Sequence, residues 1–237
     1  MNKKIETAVI LAAGAGVRIR DFTEKPKGFI KINNEPIIIT SIEKLLFCGI
    51  KRILIVIGYN FQYYEELSKL YPEIELILND KYLITGHLYS LYCIKEVINE
   101  DILLLESDII YESRALDELL ISECVDGVVI SDVSGSGDEV FVEDKSDFLI
   151  KMSKNLDDLR HIHGEFVGIS KLSFNMLLKI FDIVESDFNL YVLGSYDTCG
   201  ISLACQMSPI KCIKIKDLAW GEIDDLKMFK RAAEIFK

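Results

Sequence analysis

Proline is scarce and histidine scarcer: the 237 residues hold four prolines and three histidines. With so little proline and no biased or repetitive stretch, no segment reads as a disordered linker. The histidines, His87, His161 and His163, stand in no recognisable arrangement with a Ser or Cys, so the chain offers no nucleophilic triad. No apolar run reaches the ~18 residues of a membrane span. The apolar segment behind Met1–Lys4 is too short for a secretory signal and runs straight into a glycine-rich motif. A cytoplasmic location and no membrane partner are therefore expected. None of the six cysteines forms a C-x-x-C pair, which favours reduced core thiols over a disulfide or zinc framework. Positive charge is also short, 27 Lys and Arg against 38 Asp and Glu, for a net −11. That argues against general nucleic-acid binding. An anionic small substrate remains compatible, provided its site is local: a few Arg and Lys, backbone N–H groups and a metal.

What is present is apolar material in alternating patterns, half the residues being hydrophobic. Ile5–Leu11 reads as a strand ending in a glycine loop, and Pro36–Cys48 as a helix with apolar residues at helical spacing. Arg52–Ile57, Glu73–Leu78, Ile102–Leu105 and Gly127–Ser131 read as strands. They are separated by helices at Asn60–Leu70, with Asn60 as the cap, at Leu88–Val97 and at Ser113–Leu120. This order predicts an α/β fold, a doubly wound, mostly parallel, Rossmann-like sheet whose ligands gather at the strands' carboxyl ends. After Ser131 the pattern changes. Val140–Glu143, Phe148–Met152 and Glu165–Ile169 read as short antiparallel strands, with helices at Ser173–Val184 and around Thr198–Met207, a strand at Lys211–Ile215 and a last helix at Asp224–Phe236 capped by Asp224 or Asp225. The expectation is a single domain over residues 1–237 with a small inserted β lobe, at about 132–170, covering the active site.

The first strand runs into Leu11-Ala12-Ala13-Gly14-Ala15-Gly16-Val17-Arg18. Small residues let the backbone approach a ligand, and successive N–H groups can cradle phosphate oxygens. A tight turn without a ligand has the same glycines. A dinucleotide fingerprint would need Gly where Ile19 stands, and a P-loop would need Gly-Lys-Ser/Thr, which is absent. Arg18 and the following Pro26-Lys27 add two cations to the same loop, suited to charge building on a phosphate. Ile102–Leu105 leads into Glu106-Ser107-Asp108, carboxylates at the end of a buried strand, and Asp224 stands near the C-terminus. Asp108 and Asp224 could share a Mg²⁺ or could cap the helices that follow them.

Taken together, L-A-A-G-A-G-V-R, P-K, E-S-D and E-I-D resemble the nucleoside-triphosphate transferase family, over nearly the whole chain and in order. Leu78–Tyr82 with Tyr89–Tyr92, Ser134–Val140 and Gly164–Ile169 are similar to the phosphocholine and 2-aminoethylphosphonate cytidylyltransferase branches, the latter in particular. The loop between Arg18 and Pro26 is one residue shorter than in many relatives, and Gly28 stands where Ala is common; neither change removes a named ligand. The resemblance implies Leu11, Ala12, Ala13, Gly14, Ala15 and Gly16, with Asn79, Thr85, Ser90 and Glu106, around the nucleotide. Arg18 and Lys27 become the catalytic cations, and Asp108 and Asp224 the ligands of a Mg²⁺ cofactor. CTP and a small phosphonate or phosphate acceptor are the implied partners. The implied reaction is in-line attack by the acceptor on the α-phosphate. For an amine-bearing acceptor the candidate counter-charges are Asp138, Glu139 and Glu165; for phosphocholine, an aromatic cage drawn from Tyr89, Tyr196 and Trp220. Lys154, Arg160, His161 and His163 either bind the acceptor's phosphonate or face water. The oligomeric state stays open, a homodimer among the options. A nicotinamide-dependent oxidoreductase and a non-catalytic nucleotide-binding regulator are the competing classes. The missing third glycine counts against the first, and the presence of Lys27, Asp108 and Asp224 against the second.

Overall fold

A computed structural model describes residues 4–237. The chain opens with β1 (Thr7–Ala12), a short ribbon of β2 (Lys31–Ile32) and β3 (Glu35–Pro36), α1 (Ile37–Phe47), β4 (Arg52–Ile57), α2 (Gln62–Ser68), β5 (Ile74–Leu78) and α3 (His87–Tyr92). It continues through β6 (Ile102–Glu106), β7 (Ile109–Tyr111), α4 (Arg114–Ile121), β8 (Gly127–Ser131), β9 (Phe141–Lys145), β10 (Phe148–Ser153) and β11 (Gly164–Leu172). The last part holds α5 (Phe174–Ser186), α6 (Phe188–Leu193), a π-helical turn (Tyr196–Ile201), α7 (Ser202–Ala204), β12 (Lys211–Lys214), β13 (Trp220–Glu222) and α8 (Leu226–Ile235).

Alternation along β1 explains the layering. Ala8, Ile10 and Ala12 pack on one face with Ile38, Ile42 and Leu45 of α1 and Leu116 and Leu119 of α4. Val9 and Leu11 pack on the other with Leu88 and Leu91 of α3 and Leu177 and Ile180 of α5. A strand buried on both faces needs helices on both, which is the doubly wound arrangement. The expected mostly parallel sheet is corrected to a mixed one. Nine strands run in the order β5-β4-β1-β6-β11-β8-β12-β10-β9, parallel from β5 to β6, after which β11 lies antiparallel between β6 and β8. The strands of residues 132–170 hydrogen-bond into this same sheet. β9 pairs with the start of β11, Gly164 against Val142, which turns the antiparallel end back toward the sheet's middle.

Local chemistry sets several ends differently from the sequence reading. Asn60 has a left-handed backbone (φ 49°), and its side chain donates to Glu24 O at 2.6 Å, so it does not cap α2. Asp225, not Asp224, caps α8 by accepting from Met228 N at 2.8 Å. The helix read at 88–97 ends at Tyr92, and that read at 198–207 is a π-helical turn running into α7. β7 and β13 were not foreseen; they pair antiparallel, Glu222 opposite Ile109. Among the described residues no helix is long and apolar enough to cross a membrane.

Candidate active site

β1 has β4 on one side and β6 on the other, so the sheet's order reverses between β1 and β6. Ligand crevices form at the carboxyl ends of strands at such a point. A cavity of about 290 Å³ opens there, bordered by the loop after β1, the end of β6 and the residues around β13.

The loop after β1 is built for close approach. Gly16 adopts φ 59°, in the left-handed region that a side chain disfavours, and turns the chain into Val17–Ile19. Among the described residues nothing accepts a hydrogen bond from the amides of Gly14, Ala15 or Gly16. Such a run of free N–H groups at a cavity rim is an anion-binding feature.

The cations foreseen from the sequence sit opposite the acids. Lys27 Nζ donates to Asp108 Oδ2 at 2.7 Å and also to Asp224 Oδ1. Burial works against the ammonium, but the two carboxylates outweigh it and hold its pKa above the ordinary lysine value. Arg18 forks to Asp138 at 2.7 Å and to Asp224 at 2.5 Å. The Asp224 side chain is 3% exposed. Burial raises its pKa, yet Lys27 and Arg18 bring it below the usual carboxylate range.

Asp108 and Asp224 lie 116 positions apart in sequence, and the β7–β13 ribbon is what joins them: Ile223 N donates to Asp108 O at 2.9 Å. The same ribbon delivers Glu222. Oxygens of Glu106, Asp108 and Glu222 lie within 4.8 Å of one another. Glu106 is pushed up to about 8 by burial and by neighbouring Asp108 and Asp197, although Tyr196 Oη donates to it at 2.9 Å. Glu222 is raised well above its ordinary value by burial and then by Glu106 and Asp108. Asp108, Asp224, Glu106 and Glu222 thus offer hard oxygen donors of the kind Mg²⁺ takes, and in the structure a cation, the Lys27 ammonium, already bridges the first two.

The other expected residues are distributed as follows. Leu11 to Gly16, Ser90, Glu106 and Glu165 border the cavity. Asn79 is fully buried and reaches it only through Ser90, donating to Ser90 Oγ at 3.1 Å and Thr85 Oγ1 at 3.4 Å. Glu165 accepts from Ser134 N and Oγ, and burial raises its pKa. Asp138 is taken up by Arg18 and by Lys154, 2.6 Å away, and Glu139 accepts from Gly137 N within its own turn. Lys154 borders the cavity; His161 and His163 face Asp144 instead. Tyr196 and Trp220 border it too, but their polar atoms are engaged with Glu106 and Ser131. Asp197 is a cavity acid absent from the sequence reading, and Glu222 entered that reading as the first residue of E-I-D without a role of its own. Asp197 accepts from Ser195 Oγ and Thr198 N.

This fold, with a glycine-rich phosphate-type loop facing paired cations and acids at the switch point, is that of a nucleotidyltransferase. Residues 8–162 match the MobA-like NTP transferase domain, and the chain belongs to that family. It is 42% identical over 90 residues to choline-phosphate cytidylyltransferase of Streptococcus pneumoniae, 38% of this chain and 39% of that one. It is 30% identical over 160 residues to 2-aminoethylphosphonate cytidylyltransferase of Lancefieldella rimae, 66% of this chain and 64% of that one. These matches therefore span less than two thirds of either relative. The fold is similar to that of the inositol-1-phosphate CTP transferase from T. maritima, at TM-score 0.85 and 19% identity, covering 100% of this chain and 96% of that one.

Proposed function

We propose that this chain is a Mg²⁺-assisted cytidylyltransferase that transfers CMP from CTP to 2-aminoethylphosphonate. The observation that carries the reading is the meeting of Lys27 and Arg18 with Asp108 and Asp224 beside the free amides of Gly14–Gly16. In this reading those amides hold the triphosphate of CTP. Asn79, Thr85 and Ser90 lie toward the base and ribose, and Asp108 and Asp224 hold the metal. The bound Mg²⁺ would neutralise phosphate charge and so ease the approach of two anionic reactants.

An acceptor phosphonate oxygen is already anionic and needs no base. It forms the new O–P bond at the α-phosphorus as the α–β phosphoanhydride breaks, and the electron pair leaves with pyrophosphate. Lys27 and Arg18 exchange their carboxylate partners for phosphate oxygens and stabilise the charge in the transition state. The acceptor's ammonium lies among the cavity carboxylates. Glu165 is the acid of the antiparallel end that borders the cavity, whereas Asp138 and Glu139 act through Arg18, Lys154 and their turn. A primary ammonium gains from such acids, while a trimethylammonium gains most from open aromatic faces.

Pyrophosphate release tests the reading. The chain is supplied with Mg²⁺ and each NTP in turn, with 2-aminoethylphosphonate, phosphocholine or a sugar 1-phosphate. Release is expected with CTP and 2-aminoethylphosphonate. Release only with another nucleotide, or only with a sugar 1-phosphate, overturns it.

A further inference from the structure

The β9–β10 hairpin and the segment leading into β11 gather four side chains, none of which borders the nucleotide cavity. Asp144, with its side chain 8% exposed, points Oδ1 at His161 Nε2, 3.1 Å away, and at His163 Nδ1, 3.2 Å away. Its Oδ2 accepts from Asp147 N at 2.9 Å. Ligand atoms of Asp144, Asp147 and His163 all lie within 4.8 Å of one another, and the exposed His161 stands outside this group, joined to it through Asp144. The backbone here is pinned: His163 N donates to Val142 O at 2.8 Å, and Cys212 N donates to Asp147 O at 2.7 Å.

Two imidazoles and two carboxylates make a mixed nitrogen and oxygen donor set. Mg²⁺ and Ca²⁺ take oxygen, whereas Zn²⁺ takes imidazole and carboxylate together in a tetrahedron. Bonds of 2.0–2.1 Å put the ligands of such a tetrahedron roughly 3.3 Å apart. The two imidazole–carboxylate spacings have that length. Charge points the same way. Among the described residues no Lys or Arg side chain forms an ion pair with Asp144, Asp147 or the buried Glu143, whose Oε2 accepts from Arg160 N at 2.9 Å.

We propose that Asp144, Asp147 and His163, with the exposed His161 turning in as fourth ligand, form a structural zinc site that fastens the β9–β10 hairpin to the start of β11. It lies close in sequence to Glu165, Phe166 and Val167, which border the cavity, so the metal would stiffen that wall. The inference does not depend on which acceptor the enzyme uses.

The test uses full-length chain without a polyhistidine tag, stripped with chelator, reloaded with ZnCl₂ in excess MgCl₂ and desalted. Elemental analysis is expected to find one zinc per chain, with a raised unfolding temperature. His161→Ala/His163→Ala should lose the bound zinc and the thermal shift, whereas Asp108→Asn should keep both. Asp147→Asn guards against misfolding, because Asn also tolerates the left-handed backbone of Asp147 (φ 65°). This variant should fold as the parent does and bind zinc more weakly. X-ray absorption should show nitrogen and oxygen neighbours alone. Absence of zinc from the parent chain, undiminished zinc in the double His variant, or a sulfur neighbour to the zinc would each overturn the site.

Discussion

Two opposing effects meet at Lys27. Burial disfavours its charge, and Asp108 and Asp224 restore it, so the ammonium stays charged at the cavity that the proposed reading gives to CTP. If its charge counts most in the transition state, Lys27→Ala lowers kcat more than it raises KM for CTP. Steady-state pyrophosphate release checks this, and unchanged kcat and kcat/KM would show a bystander. Asp108→Ala should abolish turnover with the fold intact by circular dichroism, and undiminished turnover of the parent in EDTA would remove the metal from the account. Gly168 adds a constraint invisible in the sequence. It has φ 81°, and a Cβ there would lie 2.7 Å from Glu106 Oε2. Gly168→Ala is expected to cost about 1–3 kcal/mol in urea unfolding, from backbone strain together with the displaced carboxylate. Unaltered stability would show that Glu106 is free to move aside. Arg18 and Lys27 were legible because they share one loop with the glycines. Asp197 was not, and Glu222 was visible only as part of E-I-D, since long-range folding alone brings both to Glu106.

The element that completes the site is the β7–β13 ribbon. Its strands are three residues each, too short for periodicity to register. The acids on either side of it were visible in the sequence as strand-end or helix-start carboxylates, but not the pairing that makes them neighbours. Capping separates the roles of the adjacent Asp224 and Asp225: only Asp225 accepts from Met228 N, which leaves Asp224 to Lys27 and Arg18. Asp225→Ala should therefore cost about 1 kcal/mol of stability, the ordinary value of an N-cap, with a smaller loss of kcat than Asp224→Ala. Denaturation curves and turnover measured on both variants check the division; a larger kcat loss in Asp225→Ala would reverse it. The parallel strands were readable almost to the residue, Arg52–Ile57 and Gly127–Ser131 among them, because these two are runs of consecutive apolar residues buried throughout or from Ile53 onward. The antiparallel half was read as strands but not as part of the main sheet, since strand order depends on pairing that no local pattern encodes.

For the molecule as a whole, a net charge of −11 and the anionic substrates proposed for it are reconciled by confinement. Arg18, Lys27 and Lys154 concentrate positive charge at one cavity, while Glu106, Glu165, Asp197 and Glu222 line the same cavity with carboxyl oxygens able to accept hydrogen bonds from an ammonium. That balance favours an acceptor carrying both a phosphonate and a primary amine. Loss of a charged hydrogen bond is felt at about 1–2 kcal/mol, so phosphocholine should be the poorer substrate by at least that much in kcat/KM. The most direct measurement is a competition: equal 2-aminoethylphosphonate and phosphocholine with CTP and Mg²⁺, followed by ³¹P NMR. The account predicts that the phosphonate resonance is consumed first and a CMP-linked phosphonate appears; preferential consumption of phosphocholine would contradict it.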